Sequence, residues 1–285
     1  MVSIIIVNYN QKDLLKKCLD SARGQDFQDI EVIVVDNASS DGSAEMIGTY
    51  YPKVGLIRNT RNLLLCKAYN QGIKKSKGDF VLCLNNDVIL DRGYLQEAIS
   101  AAGLDGKIGM VSGKILRMDK ETIDSTGLFP GRNRKAVERG YGKQDKGQFD
   151  KPGYIFGVSG AAAFFRRRML EDIKDENGYF DERFEMYYED LDLSWRAQKI
   201  GWKAYYAPRA RAYHVRAATA LGRAPGDAPI FPDLPGELKK RYIRNRHLCI
   251  KKNDGLLGYL LNLPFIVLYD IKLFLYMIFK RSECL

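Results

Sequence analysis

Histidine and tryptophan are the scarcest side chains in this 285-residue chain, with two of each, and cysteine follows with five. Two histidines leave no room for a histidine-rich metal cluster. The cysteines (Cys18, Cys66, Cys83, Cys249, Cys284) are odd in number and form no CxxC pair. That fits reduced thiols in a cytoplasmic protein better than a disulfide framework. The stretch after the first apolar run, "NYNQKDLL", contains no glycine, which excludes a Gly-x-Gly-x-x-Gly dinucleotide fingerprint, and a P-loop is missing as well. The opening residues Met1 to Val7 have neither a basic leader nor a small-residue cleavage site. They read as a first strand rather than a signal peptide.

What is present is enough apolar material for a large core, 46% of residues, and a net charge of +10. Residues 236 to 285 hold ten Lys or Arg against four Asp or Glu, so the tail carries most of the excess. Such a patch suits nucleic acid, anionic lipid or phosphorylated substrate. The apolar neighbours of these cations favour lipid and argue against nucleic acid.

The first hundred residues alternate strand and helix patterns. "VSIIIVNY", "EVIVVDN", "VGLIR" and "DFVLCL" read as strands, with helical stripes such as "DLLKKCLDSA" between them. Alternation of this kind predicts an α/β fold with a mostly parallel, Rossmann-like sheet flanked by helices. From about Ile108 the pattern loosens. "GLFPGRNRKAVERGYGKQDKGQFDKPG" reads as loop, and residues 215–235, rich in proline and glycine, read as a mobile loop. The expected organisation is a catalytic domain over 1–235, divided at 107/108 into nucleotide-binding and acceptor-binding halves, followed by a helical tail over 236–285.

Ligands of an open parallel sheet bind beyond the carboxyl ends of its strands. Three strands here end in polar residues: Asn8-Tyr9-Asn10, Asp36-Asn37 and Asn85-Asn86-Asp87. Each alone is ordinary turn chemistry; together they outline a site. Without a glycine cradle, a bound diphosphate would need a hard divalent cation, for which a carboxylate such as Asp87 is a suitable ligand. In "YYEDLDLSWR", Glu189, Asp190 and Asp192 open a helix, where acidic residues also complement the macrodipole. Asp192 lies about 200° around the helix from Asp190, so the two cannot serve one site equally.

The segments "VSIIIVNYN", "VIVVDNASSDGS", "GDFVLCLNNDV", "GVSGAAAFFRR" and "FDERFEMYYEDLDLSWRAQKIGWKAYYAPRARAYH" resemble glycosyltransferase family 2, nucleotide-sugar enzymes of the GT-A fold, and within it the rhamnosyltransferase-like branch. The resemblance covers most of residues 1–214. It implies that Asn85-Asn86-Asp87 is a variant DxD motif, with Asp87 as ligand of Mn2+ or Mg2+ and His214 as a second metal contact. Asn85 and Asn86 would lie by the nucleotide, Asp36 would receive the base, and Val7, Asn8 and Tyr9 would line its pocket. Family members commonly carry Asn, a spacer, glycine and an aromatic where this chain has "NLLL"; Asn62, Asn70 and Gly72 remain of that segment, and Leu64 and Leu65 replace the rest. Asp190 is the implied general base, with Glu189 supporting it. Gly157, Ser159, Gly160, Ala161 and Trp195 would line the acceptor site, and Arg216 and Arg223 would touch the diphosphate.

The implied reaction is an inverting, metal-dependent sugar transfer from a nucleoside diphosphate, dTDP-rhamnose by the branch, with UDP-hexose or UDP-N-acetylhexosamine as alternatives. The acceptor would be a glycan, possibly polyprenyl-diphosphate-linked, in surface polysaccharide synthesis. A non-catalytic sugar-nucleotide scaffold and a nucleotidyltransferase are the rivals from other classes. The tail "GLLGYLLNLPFIVLYDIKLFLYMIFKR" is long enough to span a membrane, but Asn262, Pro264, Asp270 and Lys272 interrupt it. Two helices broken at Pro264 and lying peripherally on an anionic cytoplasmic membrane face are expected. Packing on the domain or in a homodimer is the alternative.

Overall fold

The computed structural model describes residues 1–216, 234 and 236–279. The first half runs β1 (Val2–Asn8), α1 (Lys12–Arg23), β2 (Ile30–Asp36), α2 (Ser43–Tyr50), β3 (Gly55–Arg58), α3 (Leu64–Lys75), β4 (Phe80–Asn85), β5 (Val88–Leu90) and α4 (Tyr94–Gly103). The second runs β6 (Ile108–Arg117), β7 (Ile123–Ser125), β8 (Leu128–Pro130), β9 (Ala136–Glu138), β10 (Gly153–Ile155), β11 (Ala162–Arg166), α5 (Arg167–Ile173), α6 (Glu189–Lys199) and β12 (Lys203–His214). Two helices follow, α7 (Gly236–Asn253) and α8 (Leu256–Phe279).

One mixed sheet carries the domain in the order β10-β12-β6-β11-β4-β1-β2-β3. β3, β2, β1 and β4 are parallel, β11 runs antiparallel between β4 and β6, and β12 is parallel to β6. The continuous apolar run of β1 has the explanation its composition predicts: both faces are covered. Ile4 and Ile6 enter the cluster that includes α1 and α4, while Ile5 enters the one that includes α3, the two-residue period of a strand. At Gly72 of α3 an added Cβ would lie 2.2 Å from Ile5 Cγ2, so the missing side chain lets α3 close on β1.

Three expectations change. The segment read as loop after β7 contains the β8–β9 hairpin, in which Leu128 pairs with Glu138 across the turn closed by Gly131 N–H on Lys135 O at 2.9 Å. Its strands are three residues each, too short for periodicity to register. The helical tail does not break at Pro264, which sits inside α8. The break falls between α7 and α8, where Arg134 Nη2 donates to Asp254 Oδ1 at 3.0 Å and to Gly258 O at 3.1 Å. A proline in a helix removes one backbone donor, and here that loss does not end the element. Finally, α7 packs on the domain, the arrangement given above as the alternative to a peripheral place on the membrane. Asn245, Arg246, Cys249, Ile250 and Asn253 are buried, and Asn253 Nδ2 reaches Asp192 Oδ1 of α6 at 2.7 Å.

Candidate active site

The site begins with strand register. β1 pairs Asn8 with Asp36 of β2 and Val7 with Asn85 of β4. The three polar strand ends therefore lie side by side at one sheet edge. They are wired together: Asn8 Nδ2 donates to Asp36 Oδ1 and to Ser39 Oγ, each at 3.1 Å, and Asn86 Nδ2 donates to Asn8 Oδ1 at 2.8 Å. Ser39 N–H closes the loop on Asp36 Oδ2 at 3.0 Å. Tyr69 hydroxyl donates to Asn85 Oδ1 at 3.1 Å. The amides thus hold the strand ends in one shape, a fixed rim on which Asp87 is mounted. Of the other residues expected near the nucleotide, Tyr9 is half exposed and Val7 half-buried. Asn62 is exposed and accepts Leu64 N–H at 2.9 Å.

Asn70 and Gly72 serve packing. Asn70 accepts Phe180 N–H at 2.9 Å and returns a bond to Phe180 O at 2.8 Å. Leu64, at the glycine position of the family pattern, retains a left-handed backbone with φ of 63°.

Asp87 meets His214 because β5 pairs antiparallel with β12, matching Val88 to His214. Asp87 Oδ1 lies 3.2 Å from His214 Nε2, and His214 Nδ1 lies 2.9 Å from Asp124 Oδ2 of β7. Both carboxylates and the imidazole are buried. Burial opposes a charged His214, yet the neighbouring charges of Asp87 and Asp124 outweigh it and raise the imidazole to about 9. Asp124 is held down to about 2 against its own burial by His214 and Arg216. Arg216, expected at a diphosphate, donates through Nε to Asp124 and stacks over Tyr141 at 4.9 Å. Arg223 lies outside the described residues.

Among the described residues no group of three or more His, Cys, Asp or Glu side chains forms a protein-only metal site. The Asp87–His214 pair nevertheless fits a cation that leaves its other positions to substrate. Two neighbouring ligands of an octahedral ion with bonds of about 2.1 Å are about 3 Å apart, close to the 3.2 Å found here. A ligating histidine donates its other N–H to a carboxylate, which is the position of Asp124.

The second carboxylate group stands at the start of α6. Asp190 Oδ2 accepts Gly160 N–H at 3.1 Å, and Oδ1 accepts Leu191 N–H at 2.8 Å. The residue after Gly160 makes the connection to the rim: Asn85 N–H donates to Ala161 O at 3.0 Å. Gly160 and Ala161, consecutive residues before β11, therefore join Asp190 to the strand end that carries Asp87. An added Cβ at Gly160 would lie 3.4 Å from Asp190 Oδ2, while at Gly157 it would meet Ser194 at 2.5 Å. Gly160 faces the carboxylate; Gly157 serves close packing. Ser159 is buried beside them. Trp195 turns elsewhere, edge-on to Phe156 at 5.7 Å and beneath Arg134 at 5.5 Å.

Burial raises Asp190, against the two N–H donors that favour its anion. Glu189 is raised to about 8, first by burial and then by the charge of Asp190. Its Oε2 is buried with no hydrogen-bond partner among the described residues. Burial thus pushes both carboxyls up, and the charge of Asp190 pushes Glu189 further. Asp192 faces away, bound by Arg196 Nε at 2.9 Å and by Asn253.

The loop feeding α6 is strained, with Glu185, Tyr187 and Tyr188 all at positive φ. Asn245 of α7 clamps it, donating Nδ2 to Phe184 O, Met186 O and Tyr187 O at 2.6, 2.8 and 2.8 Å.

Sequence reasoning missed Asp124, Asn245 and Glu138. Glu138 accepts Ser125 Oγ–H and is raised to about 8 by burial and by the charge of Asp190. Each is an isolated polar residue in a weakly patterned segment, with no spacing to flag it.

Strand ends wired into a rim, an aspartate–histidine pair beyond them and a carboxylate across a glycine turn thus gather at one edge of a GT-A fold. The family profile described as Glycosyl transferase family 2 matches residues 3–174, and the chain belongs to that family. Poly-beta-1,6-N-acetyl-D-glucosamine synthase of Staphylococcus aureus is 26% identical over 232 residues, 78% of this chain and 51% of the relative. The chain thus spans about half the length of that protein. Among solved structures, GalNAc-T7 with UDP, GalNAc and Mn2+ superposes with a TM-score of 0.65 at 16% identity, covering 87% of this chain and 48% of the other. S. aureus TarS 1-349 in complex with UDP-GlcNAc gives 0.61 at 18% identity, covering 93% and 70%. These two likenesses confirm the fold.

Proposed function

We propose that the protein transfers a sugar from a nucleoside diphosphate to a glycan hydroxyl with inversion at the anomeric carbon. The observation that supports this reading is the join of Asp190 to Asn85 through Gly160 and Ala161, a short link between the carboxylate read as the base and the strand end read as the diphosphate side. Asp190 accepts the proton of the attacking hydroxyl as the new glycosidic bond forms. The bond to the nucleoside diphosphate breaks on the opposite face, and Gly160 N–H keeps Asp190 aimed. Asp87 and His214 would hold a divalent cation, which when bound neutralises charge on the departing diphosphate. Asp36 and Asn8 would shape the base pocket.

UDP-N-acetylglucosamine is the donor best supported, because the named relative polymerises N-acetylglucosamine and the TarS structure holds that donor. The branch resemblance keeps dTDP-rhamnose as the second donor to test. A lipid-linked glycan at a membrane surface is the acceptor that an exposed apolar α8 favours.

A hydrolysis panel of UDP-N-acetylglucosamine, other UDP-sugars and dTDP-rhamnose, with and without Mn2+, tests the reading. Mn2+-dependent release of one nucleotide by the native protein, lost in Asp190→Asn, is expected. Release that persists unchanged in Asp190→Asn would overturn the assignment of the base.

A further inference from the structure

α8 is built inside out. Its outward face carries Leu257, Leu261, Leu268 and Phe274, exposed by 73%, 65%, 66% and 65%, while only Ile266 and Leu273 are buried. Asp270 turns inward, while Lys272 stays on the exposed side. Asp270 pairs with Arg246, which also stacks over Tyr269 at 5.0 Å, and Lys239 lies 5.5 Å over Tyr276. At the other end Arg134 holds Asp254 and Gly258.

These ties run from residue 254 to residue 276, about 30 Å of helix at 1.5 Å per residue. A helix fastened along that length to the polar body of a domain cannot cross a bilayer without taking Arg246, Asp270 and the domain into hydrocarbon. Yet an outward apolar face of this size does not stay in water. An in-plane position at a membrane surface satisfies both constraints.

Within that face lies a cleft of about 370 Å³ lined by Arg132, Asn133, Phe265, Leu268, Tyr269 and Lys272. Arg132, at the tip of the β8–β9 hairpin, places its guanidinium 3.8 Å from the Phe265 ring centre. Neither Arg132 nor Lys272 has a carboxylate within salt-bridge distance among the described residues. The cleft thus offers two cations above an apolar wall, the complement of a lipid phosphate above its acyl chains. A second copy of the chain is a poorer cover, since the one acid on α8, Asp270, is already paired with Arg246 and both cations would be buried unpaired.

We propose that α8 lies in the plane of the membrane surface and that the Arg132–Lys272 cleft binds the phosphate of an anionic phospholipid headgroup. The cleft assignment rests on the membrane placement proposed above, and the experiment separates the two.

The full chain is floated with vesicles of phosphatidylcholine alone and of phosphatidylcholine containing phosphatidylglycerol, with UDP binding in Mn2+ as the check of folding. The native protein is expected to float with both, and at least about ten-fold more strongly with the anionic vesicles, given about 1 kcal/mol per basic residue at such a surface. Arg132→Ser with Lys272→Ser should remove that increment and leave phosphatidylcholine binding intact. Leu261→Glu with Leu268→Glu should abolish flotation with both. An unchanged increment in the double serine variant would overturn the cleft while leaving the placement standing. Absence of flotation by the native protein, with a dimer seen by light scattering, would overturn both.

Discussion

His214 stands between two carboxylates, its Nε2 3.2 Å from Asp87 Oδ1 and its Nδ1 2.9 Å from Asp124 Oδ2. Asp124 thereby sets the orientation of the ring and leaves Nε2 facing Asp87. Replacing Asp124 by Asn should weaken Mn2+-dependent UDP binding by about 10–100-fold, the usual loss when a ligand's outer partner is removed. Titration calorimetry of UDP with and without Mn2+ measures this, and metal-free binding should change little. Equal affinity in the variant would show that Asp124 does not orient the ring for a cation.

Asp190→Asn should lower turnover by at least about a hundred-fold, the scale of general-base catalysis, while UDP affinity stays within about two-fold. The amide oxygen can still accept one of the two N–H groups, from Gly160 or Leu191, but the amide NH2 then faces the other, so the thermal midpoint should fall modestly while the protein stays folded. A parallel loss of UDP binding would mean that Asp190 shapes the nucleotide side instead.

Glu189 gives a pH dependence with a definite sign. Its folded value, about 8, lies above the ordinary 4.5, so the folded state binds more protons than the unfolded state between these two values. Stability contributed by this neutral carboxyl is complete below about 4.5 and falls as pH rises towards 8. Glu189→Gln keeps a neutral group at every pH. Its thermal midpoint relative to the native protein should climb across that window, as measured by calorimetric scans from pH 5 to pH 8 with about one-unit steps. A difference that does not vary with pH would show Glu189 to be ionised throughout.

Leu64 occupies the left-handed region at φ of 63°, which disfavours any residue with a Cβ by roughly 1–2 kcal/mol. Leu64→Gly should therefore be more stable than Leu64→Ala by about 1 kcal/mol, although both lose the same side-chain packing. Urea unfolding of the two variants checks the comparison, and equal midpoints would show that the loop relaxes out of this conformation.

Asn245→Leu tests whether α7 supports the base. The change strips the donor from three backbone carbonyls of the strained loop. It should cost about 2 kcal/mol or more of stability and lower turnover, with UDP affinity retained. Native turnover in the folded variant would show that the loop holds Asp190 without α7.

Much of the fold was legible because periodicity reports burial. β1 reads as an unbroken apolar run, since both faces are covered, and α1 shows its buried stripe of Leu15, Cys18, Leu19 and Ala22. The strand-end polar groups were legible for the same reason, as interruptions of a strong pattern. The β8–β9 hairpin was not, because three-residue strands are too short to show a period. Nor was the continuity of α8 through Pro264, where general proline behaviour pointed the other way.

By itself, the sequence determined the alternating α/β order, the polar strand ends and the Glu189-Asp190 pair, all local features written in spacing and residue type. Tertiary structure alone decided that Asp124 backs His214, that Asn245 clamps the loop before Asp190, and that Asp270 of α8 turns inward to Arg246. Those relationships join residues 58 to 90 positions apart or depend on what packs against a helix. A lone aspartate or asparagine carries no trace of a partner that distant, so only the folded chain can supply it.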